Sequence, residues 1–496
     1  MATLTPVLSA LAVANYVRVM IETETTAAVE RAFAAARQAR AGWAATDPKR
    51  RAEPFLTLHR LLLDHREEIL DVIQDETGKA RGNAAEEFMD AANSILFYAR
   101  KAPALLRPRR RPGAMPVLTK TYEYARPRGV VAVITPWSYP FALAADVVPA
   151  LLAGNTVVHK PDSKTPRSSL LLRDYAIQAG LGPEVWQVVL GEPAEIGDAL
   201  IDGADYVSFT GSTRAGRAIA ERCAQRLIGC SLELGGKNPM IVLDDADLDR
   251  AVTAALRACF GNAGQLCIGI ERIYVDRSIQ GEFLRRMVTA TKMLRLGRGL
   301  DYTADVGSLI SQAQLDRVSG MVDRAVQAGA RVATGGRARP DIGPYFYEPT
   351  ILTGVAADAE VSTEEVFGPV VTVTGFGNDA EAIRLANDSR YGLNAAVFGS
   401  NPARARSIAE RIEAGMVNIN EGYASAYASA APVGGRKQSG LGRRHGIQGL
   451  MEYTEPQTVS SQHHLIGFDP VAGISREQFV DLLLGGLRAM RNLHIR

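Results

Sequence analysis

Cys267 ends the stretch Gly261-Asn262-Ala263-Gly264-Gln265-Leu266-Cys267, and Glu233 stands earlier in Leu232-Glu233-Leu234-Gly235-Gly236-Lys237. A thiol and a carboxylate in glycine-flanked segments suit covalent catalysis. The thiolate attacks a carbon, and the carboxylate later activates a water. Each residue alone has a plainer reading. A single cysteine in an apolar chain is most often a small buried hydrophobe. A glutamate in a short apolar run most often ends a strand and faces solvent.

Three further segments have the chemistry of a nucleotide site. Tyr206-Val207-Ser208-Phe209 has strand character and runs into Thr210-Gly211-Ser212-Thr213-Arg214-Ala215-Gly216, then into a helical pattern. A glycine turn at a helix start offers free N–H groups to a phosphate. The spacing departs from the Gly-x-Gly-x-x-Gly fingerprint, and taken alone an ordinary helix-start turn accounts for it better. The second segment is Val158-His159-Lys160-Pro161-Asp162-Ser163-Lys164, and the third is Glu364-Glu365-Val366-Phe367-Gly368-Pro369.

The surrounding chain must position these groups. Residues 25 to 43 and 49 to 105 read as helices, with apolar residues spaced near 3.6. The run Arg107 to Gly113 reads as a solvated linker rather than a nucleic-acid contact. Strand character follows at 117 to 127 and from Val130 to Thr135. Strands at 155–159, 185–190 and 205–209 then alternate with helices at 167–179 and 194–201. That rhythm predicts βαβ units and a parallel sheet, and a second α/β stretch runs from about 237 to 430. The fold class is therefore α/β. The 496 residues suit about three domains, and the net charge of +2 makes no case for nucleic acid or an anionic membrane. Four cysteines form no Cys-x-x-Cys pair, which suits a reduced, cytoplasmic setting, and no metal site is expected. No run of 18 apolar residues predicts a membrane span, and residues 3 to 17 lack the positive lead of a signal peptide.

Taken together and in this order, the segments resemble the aldehyde dehydrogenase superfamily over nearly the whole chain, most closely its bacterial succinate-semialdehyde dehydrogenases. The resemblance implies a Rossmann-like cofactor domain at 1–108 and 128–234 and a catalytic domain at 235–432. It implies a β oligomerisation element at 109–127 and 447–461, hence a homodimer or homotetramer. Cys267 would attack an aldehyde, and Glu233 would activate the water that hydrolyses the thioester. Thr135, Pro136 and Trp137 would border the cofactor, Gly211 and Ser212 would meet its pyrophosphate, and Lys160 its adenosine ribose. Glu365 would hold the nicotinamide ribose, with Phe367 packed nearby. Members that prefer NAD commonly carry Glu where this chain has Ser163. Ser163 removes that charge and Lys160 with Lys164 adds positive potential, so NADP is expected over NAD.

Several positions depart from the family pattern. Ser138 stands in Thr135-Pro136-Trp137-Ser138-Tyr139-Pro140, where the family has the Asn that helps hold the oxyanion. Pro-Phe-Gly-Gly reads Pro432-Val433-Gly434-Gly435, and Gly-Arg-Glu reads Gly442-Arg443-Arg444, which removes a carboxylate near the site. Gly261 replaces an arginine that grips the substrate carboxylate in succinate-semialdehyde dehydrogenases. Two alternatives to a hydrolytic dehydrogenase stay open: a catalytically weakened, structural cofactor-binding homologue, motivated by Ser138, and a coenzyme A-acylating enzyme. Small residues from Ala424 to Ser429 fall where the family has its substrate-funnel loop. In the C-terminal tail, 462–496, residues 475 to 492 predict an amphipathic helix opened by a Ser475/Gln478 capping box. It is expected to pack on the same or a neighbouring subunit rather than on a membrane.

Overall fold

The computed structural model describes residues 25–113, 119–462 and 473–492. Two larger sheets organise the molecule. The first has the order Gly440–Leu441, Gly229–Glu233, Tyr206–Thr210, Val130–Ile134, Thr156–Lys160, Trp186–Val188, parallel except for the short Gly440–Leu441 edge. Its strands are runs of Val, Ile and Phe buried on both faces, as a helix-covered parallel sheet requires. From the central strand Val130–Ile134 the chain builds outward to Thr156–Lys160 and Trp186–Val188. It then crosses to the opposite side for Tyr206–Thr210. Such a reversal opens a crevice at the carboxyl ends of the strands. Thr135, Lys160, Thr210 and Glu233 all stand at those ends.

The second sheet has the order Arg331–Thr334, Thr350–Thr353, Val370–Phe376, Ile270–Asp276, Asn238–Val242, Asn394–Phe398, Met416–Ile419, parallel except at its first strand. A third sheet has Thr119–Pro127 in the middle, paired antiparallel with Arg109–Arg111 and with Thr454–Gln462. The basic run expected to be a linker thus contributes a short exposed strand. Arg111 stands opposite Thr121 there, a register that local sequence does not specify, and its side chain reaches Glu123 at 2.7 Å. The helical stretch from 49 to 105 is three helices, Pro48–Asp64, Arg66–Thr77 and Arg81–Leu105. One break is made by Gly78, whose φ of +71° ends a helix in the left-handed region.

The tail helix runs from Arg476 to Asn492, and its capping box is formed in both directions: Ser475 N–H to Gln478 Oε1 at 3.0 Å and Gln478 N–H to Ser475 Oγ at 3.2 Å. Phe479 is buried, while Val480, Leu484 and Leu487 are exposed. Among the described residues, no helix is long and apolar enough to cross a membrane.

Candidate active site

Cys267 follows a backbone that turns against its own preference. After the helix Leu248–Phe260, Asn262, Ala263 and Gly264 all have positive φ, between +52° and +70°. Such geometry at non-glycine residues costs on the order of 1 kcal/mol each and needs surrounding support. The support is visible. Asn262 Nδ2 donates to Gln265 O (2.9 Å) and Ser138 O (3.1 Å), and Gln265 Oε1 accepts from Ile310 N–H (2.9 Å). A Cβ on Gly264 would lie 2.0 Å from Gly368 O, so glycine is required there. Asn238 Nδ2 then clamps the carbonyls of Cys267 and Gly269, each at 2.7 Å. Close by, a Cβ on Gly236 would meet Cys267 O at 2.7 Å.

The segment that carries Ser138 is held from outside the sheet. Lys79 Nζ donates to Ser138 O at 2.8 Å and pairs with Glu87 at 2.5 Å, and both side chains are fully buried. Glu87 in turn accepts from the N–H groups of Phe141 (2.7 Å) and Ala142 (3.2 Å). Removing one partner of such a buried pair costs about 3–5 kcal/mol, because the other charge is left alone.

Cys267, Ser138, Glu233 and Thr210 line one small cavity, together with Asp90 and Arg444. Burial is the first cause of both unusual titrations here. It pushes the Glu233 carboxyl up to about 8, against the pull of Arg444. It pushes the Cys267 thiol up to about 12, helped by Glu365 and Glu233 and opposed by Arg444 and the Ile268 N–H. Glu233 Oε1 is buried and, among the described residues, has no hydrogen-bond partner. A carboxyl with a free oxygen and a pKa raised to about 8 is suited to take a proton once the pH approaches that value.

A cleft of about 660 Å3 adjoins this cavity, and Thr210 belongs to both. Thr135, Pro136 and Trp137 line the cleft while the next residue, Ser138, lines the cavity, so one turn of chain separates them. Lys160, Gly211 and Ser212 also line the cleft. Ser212 caps the 13-residue helix Thr213–Gln225, its Oγ accepting from Ala215 N–H at 3.3 Å, and the other N–H groups of that first turn are available to an anion. The cleft, its basic Lys160 and this helix start fit an elongated phosphate-bearing cofactor such as NAD(P).

Glu365 and Phe367 are placed by a second buried pair. Lys237 and Glu271 meet at 2.5 Å, and Glu271 accepts from the N–H groups of Val366 and Phe367. Glu365 Oε1 accepts from Gly236 N–H at 2.9 Å, and Phe367 meets Trp137 edge-on with centroids 5.3 Å apart. Of the nominated cofactor residues, Glu365, Phe367, Ser163 and Lys164 are not among those lining the cleft. Ser163 Oγ donates to Gly191 O at 3.2 Å, and the exposed Lys164 is 3.6 Å from Asp162.

Sequence reasoning overlooked the two buried pairs, Lys79–Glu87 and Lys237–Glu271, and the two acids Asp90 and Asp146. One signal was available: Glu87 and Asp90 interrupt the apolar stripe Phe88, Ala91, Ala92, Ile95 of a single helix. Acids in such a stripe are rarely buried without a partner.

Comparison with known proteins agrees with this geometry. The family model for the aldehyde dehydrogenase family matches residues 12–459, and the chain belongs to that family. It is 49% identical to the putative succinate-semialdehyde dehydrogenase [NADP(+)] of Mycolicibacterium smegmatis, over 94% of this chain and 90% of the relative. It is 38% identical to the succinate-semialdehyde dehydrogenase [NADP(+)] of Escherichia coli, over 87% of this chain and 88% of the relative. The solved structure of betaine aldehyde dehydrogenase from Staphylococcus aureus in complex with NAD+ superposes with a TM-score of 0.86 at 33% identity, covering 91% of this chain and 90% of that one. The α/β aldehyde dehydrogenase fold and the enzyme class, an NAD(P)-dependent aldehyde dehydrogenase, follow from these matches.

Proposed function

We propose that this enzyme oxidises succinate semialdehyde to succinate with NADP, through a thioester on Cys267. The observation that carries the reading is the shared cavity of Cys267, Ser138 and Glu233, joined at Thr210 to the cofactor cleft. The substrate and the cofactor preference rest on likeness to relatives named for both. Ser163 brings no carboxylate of its own to the segment that follows Lys160, which is consistent with NADP.

The Cys267 thiol gives up its proton to water, its sulfur bonds to the aldehyde carbon, and the carbonyl oxygen becomes an oxyanion. The Cys267 N–H and the Ser138 hydroxyl stabilise it. Lys160, Ser212 and Glu365 would hold NADP, with Trp137 and Phe367 nearby, and the bound cofactor would supply the acceptor for the hydride that leaves this carbon. Glu233 then takes a proton from water, the hydroxide adds to the thioester, and the C–S bond breaks to give the acid and free Cys267. The free Oε1 of Glu233 favours water over coenzyme A as acceptor. The same reading assigns 1–108 with 128–234 to cofactor binding and 235–432 to catalysis. It assigns 109–127 with 447–461 to subunit joining in a homodimer or homotetramer, and it places the enzyme, with its four free cysteines, in the cytoplasm.

The test is NAD(P)H formation, followed by absorbance, over a panel of aldehydes with each cofactor, with and without coenzyme A. Succinate semialdehyde with NADP is expected to give the highest kcat/KM. Turnover that requires coenzyme A, or no turnover on any aldehyde, overturns the reading. In the same assay Ser163→Glu is expected to shift preference toward NAD, and undiminished use of NADP by that variant removes Ser163 from the argument.

Ser138 yields a separate prediction. Its hydroxyl sits on a one-carbon arm, shorter than the amide arm of the family's Asn. The nearby carboxamide of Asn262 cannot substitute, because its N–H groups are engaged by Ser138 O and Gln265 O. Ser138→Asn is expected to raise kcat with little change in KM, by at most about 10²–10³-fold, the size of one oxyanion donor. A kcat at or below the parent's shows that the pocket is fitted to serine.

A further inference from the structure

Arg444 occupies the place of the family's glutamate and lines the cavity beside Cys267. Its backbone is pinned by two hydrogen bonds of 2.7 Å with Val433, in an isolated antiparallel bridge. One side of the guanidinium is engaged: Nη2 donates to Asp146 Oδ1 at 2.7 Å. Nε is buried and, among the described residues, has no acceptor. A guanidinium presents five N–H donors in a planar fork, and a carboxylate can accept two of them at once. Arg444 therefore has unused donors at the reacting end of the enzyme.

The other cations near the site do not line this cavity. Lys79 is engaged by Glu87 and Ser138 O. Arg443 turns its Nη1 to the carbonyls of Gly435 and Gly442. Arg257 lines a separate cavity together with Gly261, and Tyr423, Glu86 and Glu421 surround its guanidinium within 3.7 Å. Position 261 itself is glycine, and a Cβ there would touch only the Tyr423 hydroxyl and the Asn83 amide.

We infer that Arg444 is the specificity-determining residue of this site and receives the distal carboxylate of the aldehyde, in place of the arginine absent at position 261. The inference rests on the succinate-semialdehyde reading and names the group that would enforce it. Asp90 modulates the contact. It lines the same cavity from another element, the helix Arg81–Leu105, and its Oδ1 is buried without a partner among the described residues. Ionised, it opposes an anionic tail. Burial, helped by Asp146, Glu87 and Glu86 and opposed by Arg444, pushes this carboxyl up to about 7. In the protonated form it donates a hydrogen bond instead of repelling.

The experiment compares kcat/KM for succinate semialdehyde, butanal and 4-aminobutanal. These tails are of similar length and are negative, neutral and positive. The ratio of succinate semialdehyde to butanal is the readout, because any effect of a substitution on the shared chemistry cancels in it. Arg444→Gln is expected to lower the ratio about 10²-fold, as for loss of one partner of a buried charged hydrogen bond. Arg444→Lys is expected to recover part of it, since the charge returns without the fork. Asp90→Asn is expected to raise the ratio severalfold. Should Arg444→Gln fail to fold because Asp146 is left unpaired, the double variant Arg444→Gln, Asp146→Asn removes both charges and is read in the same way.

A ratio unchanged in the Arg444 variants overturns the assignment. So does a parent enzyme that favours 4-aminobutanal and loses that preference in Asp90→Asn, which would make Asp90 the recognition group. A parent that shows no preference for succinate semialdehyde over butanal sinks the substrate reading itself. A parent that has the preference and keeps it in Arg444→Gln sinks only the role of Arg444.

Discussion

Cys267→Ala is expected to abolish NAD(P)H formation from every aldehyde, by at least about 10⁴-fold, the scale of removing a covalent nucleophile. Cofactor binding is expected to survive, because the cleft is built from Thr135 to Trp137, Lys160, Gly211 and Ser212 and does not include Cys267. The two readouts must separate. Steady-state absorbance reports the loss of turnover, and quenching of protein fluorescence by NADP reports retention of the cleft. Appreciable turnover in this variant would mean that hydride leaves without a covalent intermediate on Cys267. The other cysteines are poor substitutes: Cys223 and Cys259 are buried, and Cys230 stands on the strand that ends in Glu233, outside the cavity.

Glu233→Gln separates the two halves of the reaction. A rapid first burst of NAD(P)H is expected to remain, followed by a steady state slowed about 10²–10⁴-fold, the usual contribution of a general base. The pH dependence carries a sign. Burial raises the Glu233 carboxyl to about 8, so below that pH it is protonated and cannot accept a proton from water. The parent's steady-state rate is therefore expected to rise with pH through about 8, and the rise is expected to vanish in the Gln variant. Burial holds the Cys267 thiol up at about 12, so a limb set by the thiol would keep rising past pH 8, whereas one set by Glu233 levels off above it. Stopped-flow traces across pH check both points. An equal fall in burst and steady state would show that Glu233 acts before the thioester, on the thiol itself.

These outcomes depend on groups of different legibility. The alternation of strands and helices from Val130 to Thr210 was readable because strand and helix patterning is local: β-rich runs punctuated by helix starts. The helix at Thr213 was readable from its glycine turn, and the tail helix from its capping box. Helix breaks inside 49 to 105 were not, because Gly78 acts through a left-handed backbone that the alanine-rich pattern does not announce. The exposed basic strand Arg109–Arg111 was missed for a related reason. Its pairing with Thr121–Glu123 is made by a partner strand, not by its own residues.

The residue types at the candidate site were determined by sequence alone: a thiol, a carboxylate, a serine where an amide is usual, and an arginine where a glutamate is usual. What those types do was decided by tertiary structure. Arg444 meets Asp146, 298 positions away in the chain, and Lys79 reaches Ser138 O across 59 positions. Ser163, nominated for the ribose, instead turns to Gly191 O outside the cleft lining. The physical reason is common to Arg444 and Lys79. Backbone propensity and periodicity act over a few residues, whereas a buried charge or hydroxyl takes whichever partner folding brings within hydrogen-bond reach. Sequence set which groups were available, and only the packed structure decided which of them were satisfied and which, like Glu233 Oε1 and Arg444 Nε, were left facing a cavity with capacity to bind.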